Sequence, residues 1–266
     1  SGRALTPSIV CRGLSPAGAG GGPPGPAALL TPAGRGTALA VRAGAAAAAV
    51  PDTGPVDLDA HHALAREIAA QAVVLLRNDE NLLPLTPEDD IAVIGALAVE
   101  PRYQGGGSSH VNATGVDAPL AAIRARTGRE VRFAAGYSTG REAAPLLADE
   151  AIALAGSAST IVLFLGLAEA QESEGFDRTT IDLPDDQIAL AVRVLAANPR
   201  TVVILCHGGA VQVSVIDAPA VLDAALLGQA VGSALADVLF GDINPSGRLA
   251  EPLPRLNAIA DLDIER

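Results

Sequence analysis

From residue 57 onward, short runs of apolar residues alternate with amphipathic segments. The apolar runs predict five buried strands, at 91–95, 131–136, 160–167, 201–209 and 220–228. Apolar residues at helical spacing predict five helices, at 58–78, 117–127, 141–158, 184–198 and 230–241. Strands that are apolar throughout and alternate with helices are typical of a mainly parallel sheet covered on both faces. We therefore predict an α/β sandwich.

Several local signals mark where these elements begin and end. Asp59 is the candidate N-cap of the first helix, and Gly128 stands where the second helix should end. Pro184 is expected near the start of the helix that follows it. After Asn244-Pro245, a dipeptide that favours turns, we expect Gly247 to adopt a positive φ.

Residues 1–56 lack this regularity. Residues 15–36 are rich in Gly, Pro and Ala, and such a segment cannot bury enough side chain to offset the entropy lost on ordering. We expect a low-complexity, mostly disordered segment with at most a loose helix at 38–50, then one domain over 57–256 and a tail over 257–266. The first residues do not resemble a signal peptide, because their apolar stretch is short and has no basic flank.

Composition excludes several classes of function. The formal net charge is −12 and no basic cluster stands out, which argues against a nucleic-acid partner. No apolar run reaches the roughly 18 residues that a membrane span needs. The two Cys and four His residues show no ligand spacing, so we predict neither a metal site nor a cofactor. The chain has no Met, and all 18 basic residues are Arg, so we expect a fragment encoded by a GC-rich bacterial gene.

Two long polar connections should leave the same edge of the predicted sheet. Residues 96–115 follow the strand at 91–95, and residues 168–180 follow the strand at 160–167. Ligands of open α/β sheets bind beyond the carboxyl ends of the strands, and loops longer than about 12 residues tend to be functional. We therefore expect a site built from these two loops, with His207 at the end of a neighbouring strand as a further candidate.

The second loop carries three acidic residues, Glu172, Glu174 and Asp177. Neighbouring negative charges and partial burial both raise the pKa of a carboxyl group. A raised pKa would let Glu174 hold a proton near neutral pH and donate it to a leaving group. An ion pair with Arg178 would lower that pKa instead. The alternative interpretation is a solvated loop face, with Arg178 bridging one of the acids.

Five segments of this chain resemble glycoside hydrolase family 3, which contains β-glucosidases and β-xylosidases. They are AREIAAQAVVLLRNDENLLPL (65–85), IAVIG (91–95), YQGGGSSHVN (103–112), ESEGFDRTTIDLPDDQ (172–187) and LADVLFGDINPSGRLAE (235–251). They occur in the family's order and spacing over about residues 60–254, which makes the resemblance specific. It implies the family's second domain, an α/β sandwich that packs against a (β/α)8 barrel with the active site between them.

The resemblance also implies roles for individual residues. In this family the barrel supplies an Asp nucleophile and the second domain supplies the general acid/base. The matching residue here is Glu174, and Glu172 is the alternative because the loop can be aligned one or two residues differently. Contacts with the carbohydrate substrate are implied for Ser108, Ser109, His110, Glu172, Phe176 and Asp177. Ordinary turn formation is the alternative role for the two serines.

Two alternative functions compete with the interpretation of this chain as part of an enzyme. Nothing upstream of Asp57 resembles the barrel, so we expect this chain by itself not to hydrolyse glycosides and expect a barrel domain as its partner. A carbohydrate-binding module that does not cut its ligand is the alternative. A nucleotide-binding domain is disfavoured, because 103–112 lacks the GK[ST] of a P-loop and 228–234 has the wrong glycine spacing for GxGxxG. With no Trp and only two Tyr, the chain supplies few platforms for stacking sugars.

Overall fold

The computed structural model describes residues 32–48, 54–140, 145–175, 177–212 and 216–250. The chain divides into two units, Ser1–Val56 and Asp57–Arg266. The first unit contains α1 (Pro32–Ala48), which begins at Pro32 rather than at residue 38 of the expected loose helix. Pro is tolerated in a first helical turn and Ala has the highest helix propensity, which accounts for this helix. Its Leu39 side chain is exposed.

The second unit is built on a six-stranded sheet with the strand order β1-β6-β5-β4-β2-β3. The strands are β1 (Val74–Asn78), β2 (Ile91–Ile94), β3 (Arg132–Ala134), β4 (Thr160–Gly166), β5 (Thr201–Cys206) and β6 (Ala220–Asp223). All neighbouring pairs are parallel except β1 and β6, which are antiparallel. This topology confirms the predicted mainly parallel sheet.

Within the described residues, five α-helices accompany the sheet. They are α2 (Leu58–Ala72), α3 (Pro119–Thr127), α4 (Pro145–Ala155), α5 (Asp185–Ala197) and α6 (Val231–Leu239). Helices α2 and α3 both pack against α6, while α4 packs against α5, as expected for one helical layer on each face of the sheet. Among the helices of the described residues, none combines the length and the apolar character needed to cross a bilayer.

The centre of the core is formed by β4 and β5. Every residue of both strands is buried. Strands that are covered on both faces bury side chains of both orientations, which explains their uninterrupted apolar sequences. Burying one side chain such as Phe164 contributes about 1.5–3 kcal/mol. The loop after β4 therefore leaves from the most firmly held part of the sheet.

The predicted helix over 58–78 is wrong in its last part, over residues 73–78. Helix α2 ends at Ala72, and the following residues form β1, which pairs Val74 with Asp223 of β6. A short apolar run fits a helix or a strand equally well, and here the pairing with β6 decides. The N-cap is Asp57 rather than Asp59, because the Asp57 carboxylate accepts the N–H of Ala60 at 2.9 Å.

The other local signals have mixed outcomes. Gly128 ends α3 in the left-handed conformation with φ 64°, and Pro184 immediately precedes α5, as predicted. Gly247 is not among the glycines with positive φ. It is glycine for a different reason, since an added Cβ would overlap the carbonyl group of Ala72 and lie 2.7 Å from the carbonyl oxygen of Val73.

Candidate active site

The two long loops meet at the carboxyl edge of the sheet. Strands β2 and β4 are parallel neighbours, so the loops that follow them leave side by side. Together with the turn after β5 they border a cleft of about 530 Å³, which we call the Glu174 cleft. Its lining includes Arg102, Ser108, Ser109, Glu172, Glu174 and Leu226.

Arg102 ties the two loops together. Its side chain is buried, and each guanidinium nitrogen donates a hydrogen bond to a different backbone carbonyl. Nε donates to Gln104 at 2.8 Å, Nη1 to Leu167 at 3.1 Å and Nη2 to Glu172 at 3.0 Å. The Arg102 side chain therefore joins its own loop to the end of β4 and to the loop over 168–180, which we call the acidic loop.

Glu172 joins the acidic loop to the turn after β5. Its two carboxylate oxygens accept the backbone N–H groups of Gly208 at 2.6 Å and Gly209 at 2.5 Å. Oε2 also lies 3.8 Å from Nη2 of Arg102, and the Glu172 side chain is only 17% exposed. Both of its oxygens are thus engaged in holding backbone and a neighbouring cation in place.

Glu174 differs from Glu172 in its surroundings. It is exposed, and its Oε2 accepts the backbone N–H of Ser108 at 2.9 Å and the hydroxyl group of the same residue. The side-chain hydrogen bond from Ser108, followed by the backbone one, stabilises the ionised form and lowers the pKa of Glu174 below its ordinary value. The prediction of a raised pKa is therefore wrong for this structure.

The expected interaction of Arg178 with an acidic neighbour is replaced by another contact. Within the described residues, Arg178 donates from Nη2 to the backbone carbonyl of Ala210 at 2.6 Å instead of pairing with Glu174. The lowered pKa of Glu174 thus follows from hydrogen bonds across the two loops and not from an ion pair inside its own loop.

The remaining candidate residues lie at different distances from the cleft. Ser109 lines it, but its hydroxyl donates to a backbone carbonyl of its own turn at 2.9 Å. His110 is exposed on the same loop, with Nδ1 3.8 Å from Oε1 of Glu169. Asp177 is exposed and borders a different cavity of about 420 Å³. Phe176 lies outside the described residues.

A buried pair of one His and one Asp side chain stands at the neighbouring strand ends. His207 donates from Nδ1 to the carbonyl of Gly209 at 2.8 Å, and its Nε2 lies 3.3 Å from Oδ1 of Asp223. Nε2 is not aligned for a well-formed hydrogen bond, so this second contact is mainly electrostatic. Burial, the largest influence, would by itself lower the pKa of His207, but the contacts with Asp223 and the Gly209 carbonyl and the charge of Glu172 together outweigh burial, and the pKa is raised.

The sequence pattern singles out neither Arg102 nor Asp223. An acidic residue at the end of an apolar strand on the ligand edge is a signal that would have pointed to Asp223. Nothing in the sequence distinguishes Arg102 from the other arginines. Among the described residues, no three His, Cys, Asp or Glu side chains are grouped so that they could hold a metal ion.

Comparison with known proteins gives this site a context. Residues 73–263 match the glycosyl hydrolase family 3 C-terminal domain. The chain belongs to glycoside hydrolase family 3. The resemblance carried by the five motifs is thereby confirmed, and the family 3 domain covers the whole sheet from β1 to β6 and both loops of the Glu174 cleft.

The relatives of this family 3 domain include enzymes that are named for different glycosides. It is 45% identical over 211 residues to an exo-α-(1→6)-L-arabinopyranosidase of Bifidobacterium longum, a match that covers 74% of this chain and 28% of the relative. It is also 45% identical over 202 residues to the thermostable β-glucosidase B of Acetivibrio thermocellus, covering 74% of this chain and 27% of the relative. The chain thus spans little more than a quarter of the length of these relatives.

A solved structure shows the same architecture. The crystal structure of the family 3 β-glucosidase of Bifidobacterium adolescentis superimposes with a TM-score of 0.76 at 41% sequence identity. The match covers 85% of this chain and 34% of that one. The fold described above is therefore that of a C-terminal domain of β-glucosidase-like glycosidases.

Proposed function

We propose that this domain supplies the general acid/base of a retaining β-glycosidase and that Glu174 is the residue with this role. The observation that carries the proposal is the contrast between the two glutamates of the cleft. Glu172 is largely buried, and both of its oxygens accept backbone N–H groups. Glu174 is exposed at the same cleft and bonded only through Oε2 among the described contacts, so it is the carboxyl group that can reach a substrate.

The chemistry requires two carboxyl groups about 5–5.5 Å apart, of which one attacks the sugar and the other handles protons. The acid/base first donates a proton to the departing oxygen and then, as a carboxylate, removes a proton from water. The lowered pKa favours the carboxylate form of Glu174, which corresponds to the second of these states. A neighbouring carboxylate and the exclusion of water both favour the protonated form of a carboxyl group. A barrel that supplied both around Glu174 would therefore favour the proton-donating state.

The nucleophile, in this proposal, is the Asp of a (β/α)8 barrel of the kind that family 3 places beside this domain. Such a barrel would also form most of the sugar pocket, and with it the choice between glucosides, xylosides and arabinosides. The sparse aromatic content of this domain, with two Tyr and no Trp, agrees with a sugar pocket that lies mainly elsewhere. The domain by itself is therefore proposed to be inactive.

The role of Glu174 is tested in a fusion of this chain to the barrel portion of the Bifidobacterium adolescentis β-glucosidase, its 41% identical relative. Glu174→Gln should lower kcat/KM by about 10²- to 10⁴-fold on phenyl β-glucoside, whose leaving oxygen needs a proton. The loss should be much smaller on dinitrophenyl β-glucoside, whose leaving group departs without one. Asp177→Asn, a change on the same loop at a residue that borders a different cavity, should show no such difference between the two substrates.

Two outcomes would contradict this assignment. If Glu172→Gln showed the leaving-group dependence and Glu174→Gln did not, the acid/base would be Glu172. If neither variant showed it in an active fusion, the domain would not supply the acid/base at all.

The isolated chain provides a second test. Incubation with nitrophenyl β-glucoside should give no turnover. Turnover that disappeared in Glu174→Gln would show that the chain carries a complete site. Binding of glucose measured by calorimetry, with no effect of Glu174→Gln in the fusion, would favour the alternative of a carbohydrate-binding module.

A further inference from the structure

Ser108 makes two hydrogen bonds to a single atom on the other loop. Its backbone N–H lies 2.9 Å from Oε2 of Glu174, and its hydroxyl group donates to the same oxygen. The two residues are 66 positions apart in sequence, so the contact exists only because β2 and β4 are neighbours in the sheet. Ser109, the next residue, makes no such contact among the described bonds, because its hydroxyl donates to Gly106.

Gly107 shapes the backbone for this contact. Its φ is +74°, in the region that residues with a side chain rarely adopt. A Cβ at this position would lie 2.7 Å from Cβ of Glu174 and 3.3 Å from its backbone nitrogen. Glycine therefore provides both the turn and the space into which Glu174 packs.

The turn has bonds of its own that do not involve Glu174. The N–H of His110 donates to the carbonyl of Gly107 at 3.1 Å, and the hydroxyl of Ser109 donates to Gly106 at 2.9 Å. On the opposite side of the contact, Arg102 binds the backbone carbonyl of Glu172. The turn that carries Ser108 and the loop that carries Glu174 are thus each held by other hydrogen bonds, independently of the contact between Ser108 and Glu174.

We propose that Ser108 is a positioning residue for Glu174, rather than a contact for the sugar. Two donors converging on Oε2 orient the carboxyl group and stabilise its charged form. Ser108 thereby determines how readily Glu174 takes up the proton that a general acid must deliver. The catalytic consequence rests on the proposed function, whereas the effect on Glu174 itself does not.

The effect on Glu174 is measured by NMR on the full chain labelled with ¹³C at the glutamate carboxyl carbons. The signal of Glu174 is assigned as the one missing in Glu174→Gln, and its pKa is obtained by pH titration. Ser108→Ala should raise the pKa of Glu174 toward the ordinary Glu value of about 4.3. Ser109→Ala, the matched control, removes a bond within the same turn but no donor to Glu174, so it should change that pKa much less. Ser108→Thr should preserve most of the effect of the native hydroxyl.

Gly107→Ala offers an independent variant, because it keeps the Ser108 hydroxyl but crowds the space for Glu174. It should also raise the pKa of Glu174. An unchanged pKa in Ser108→Ala, or equal changes in Ser108→Ala and Ser109→Ala, would overturn the proposal.

The fusion with a barrel then separates this proposal from the proposed function. In an active fusion, the basic limb of the pH dependence of kcat/KM should move to higher pH in Ser108→Ala, with little change in Ser109→Ala. A pKa shift seen by NMR in a fusion whose activity does not depend on Glu174 would support the positioning role and refute the acid/base role. If Ser108→Ala left the pKa of Glu174 unchanged while activity depended fully on Glu174, the acid/base role would be supported and the positioning role of Ser108 refuted.

Discussion

Replacing Arg102 by Ala should destabilise the second unit more than any surface substitution of an arginine. The change removes three hydrogen bonds from a buried cation, at 2.8, 3.1 and 3.0 Å, and leaves Glu172 without the cation 3.8 Å from its carboxylate. Hydrogen bonds to charged groups contribute about 1.5–3 kcal/mol each, but water can enter the open cleft and replace part of them. Breaking a buried ionic contact typically costs about 3–5 kcal/mol, which we take as the expected loss.

Urea unfolding followed by circular dichroism measures this loss. For a slope of about 2 kcal/mol per molar, a loss of about 4 kcal/mol lowers the midpoint by about 2 M. Arg193→Ala is the matched control, since Arg193 makes one exposed ion pair with Asp149 at 2.9 Å, and it should change stability by less than about 0.5 kcal/mol. Equal midpoints for the two variants would show that water fully replaces the guanidinium and would refute the structural role given to Arg102.

Two further predictions concern the same unit. The free energy of unfolding should fall as pH rises from about 6.5 through the raised pKa of His207, because the folded state binds that proton more tightly than the unfolded state. Urea unfolding measured across this pH range should show a much flatter dependence of stability on pH in Asp223→Asn than in the native chain. An unchanged dependence would contradict the pairing of His207 with Asp223. Gly247→Ala should cost about 1–3 kcal/mol in thermal or urea unfolding, because its Cβ has no space beside Ala72. Gly115→Ala, where nothing lies within 4 Å of the added Cβ, should be nearly neutral, and similar losses in both variants would count against this explanation.

The sheet could be predicted because its central strands are covered on both faces. Such strands must be apolar throughout, so the apolar runs of β4 and β5 can be recognised as strands without knowledge of their neighbours in the sheet. The edge strand β1 has no such signature. Its apolar residues continue the pattern of α2, and its partner β6 lies about 150 positions later in the chain, with Val74 opposite Asp223.

The meeting of the two loops was predictable from the sequence, whereas the contacts between their side chains were not. The rule that ligands bind at the carboxyl edge brought the loops of Ser108 and Glu174 together correctly. The direction of the Glu174 pKa shift was wrong, because it depends on exposure and on two donors from a distant turn. The role of Arg102 could not be predicted from the sequence, because its hydrogen-bond partners are backbone carbonyls, which every residue carries.

That choice of partners has an evolutionary consequence. All three hydrogen bonds of Arg102 end on main-chain oxygens, at Gln104, Leu167 and Glu172. Arg102 therefore requires no particular side chain at Gln104 or Leu167 as its acceptor, although Gln104 also holds Val111 and Leu167 is buried in the core. Substitutions elsewhere in the two loops therefore do not remove the acceptors of Arg102, and covariation between pairs of side chains would reveal at most its contact with Glu172.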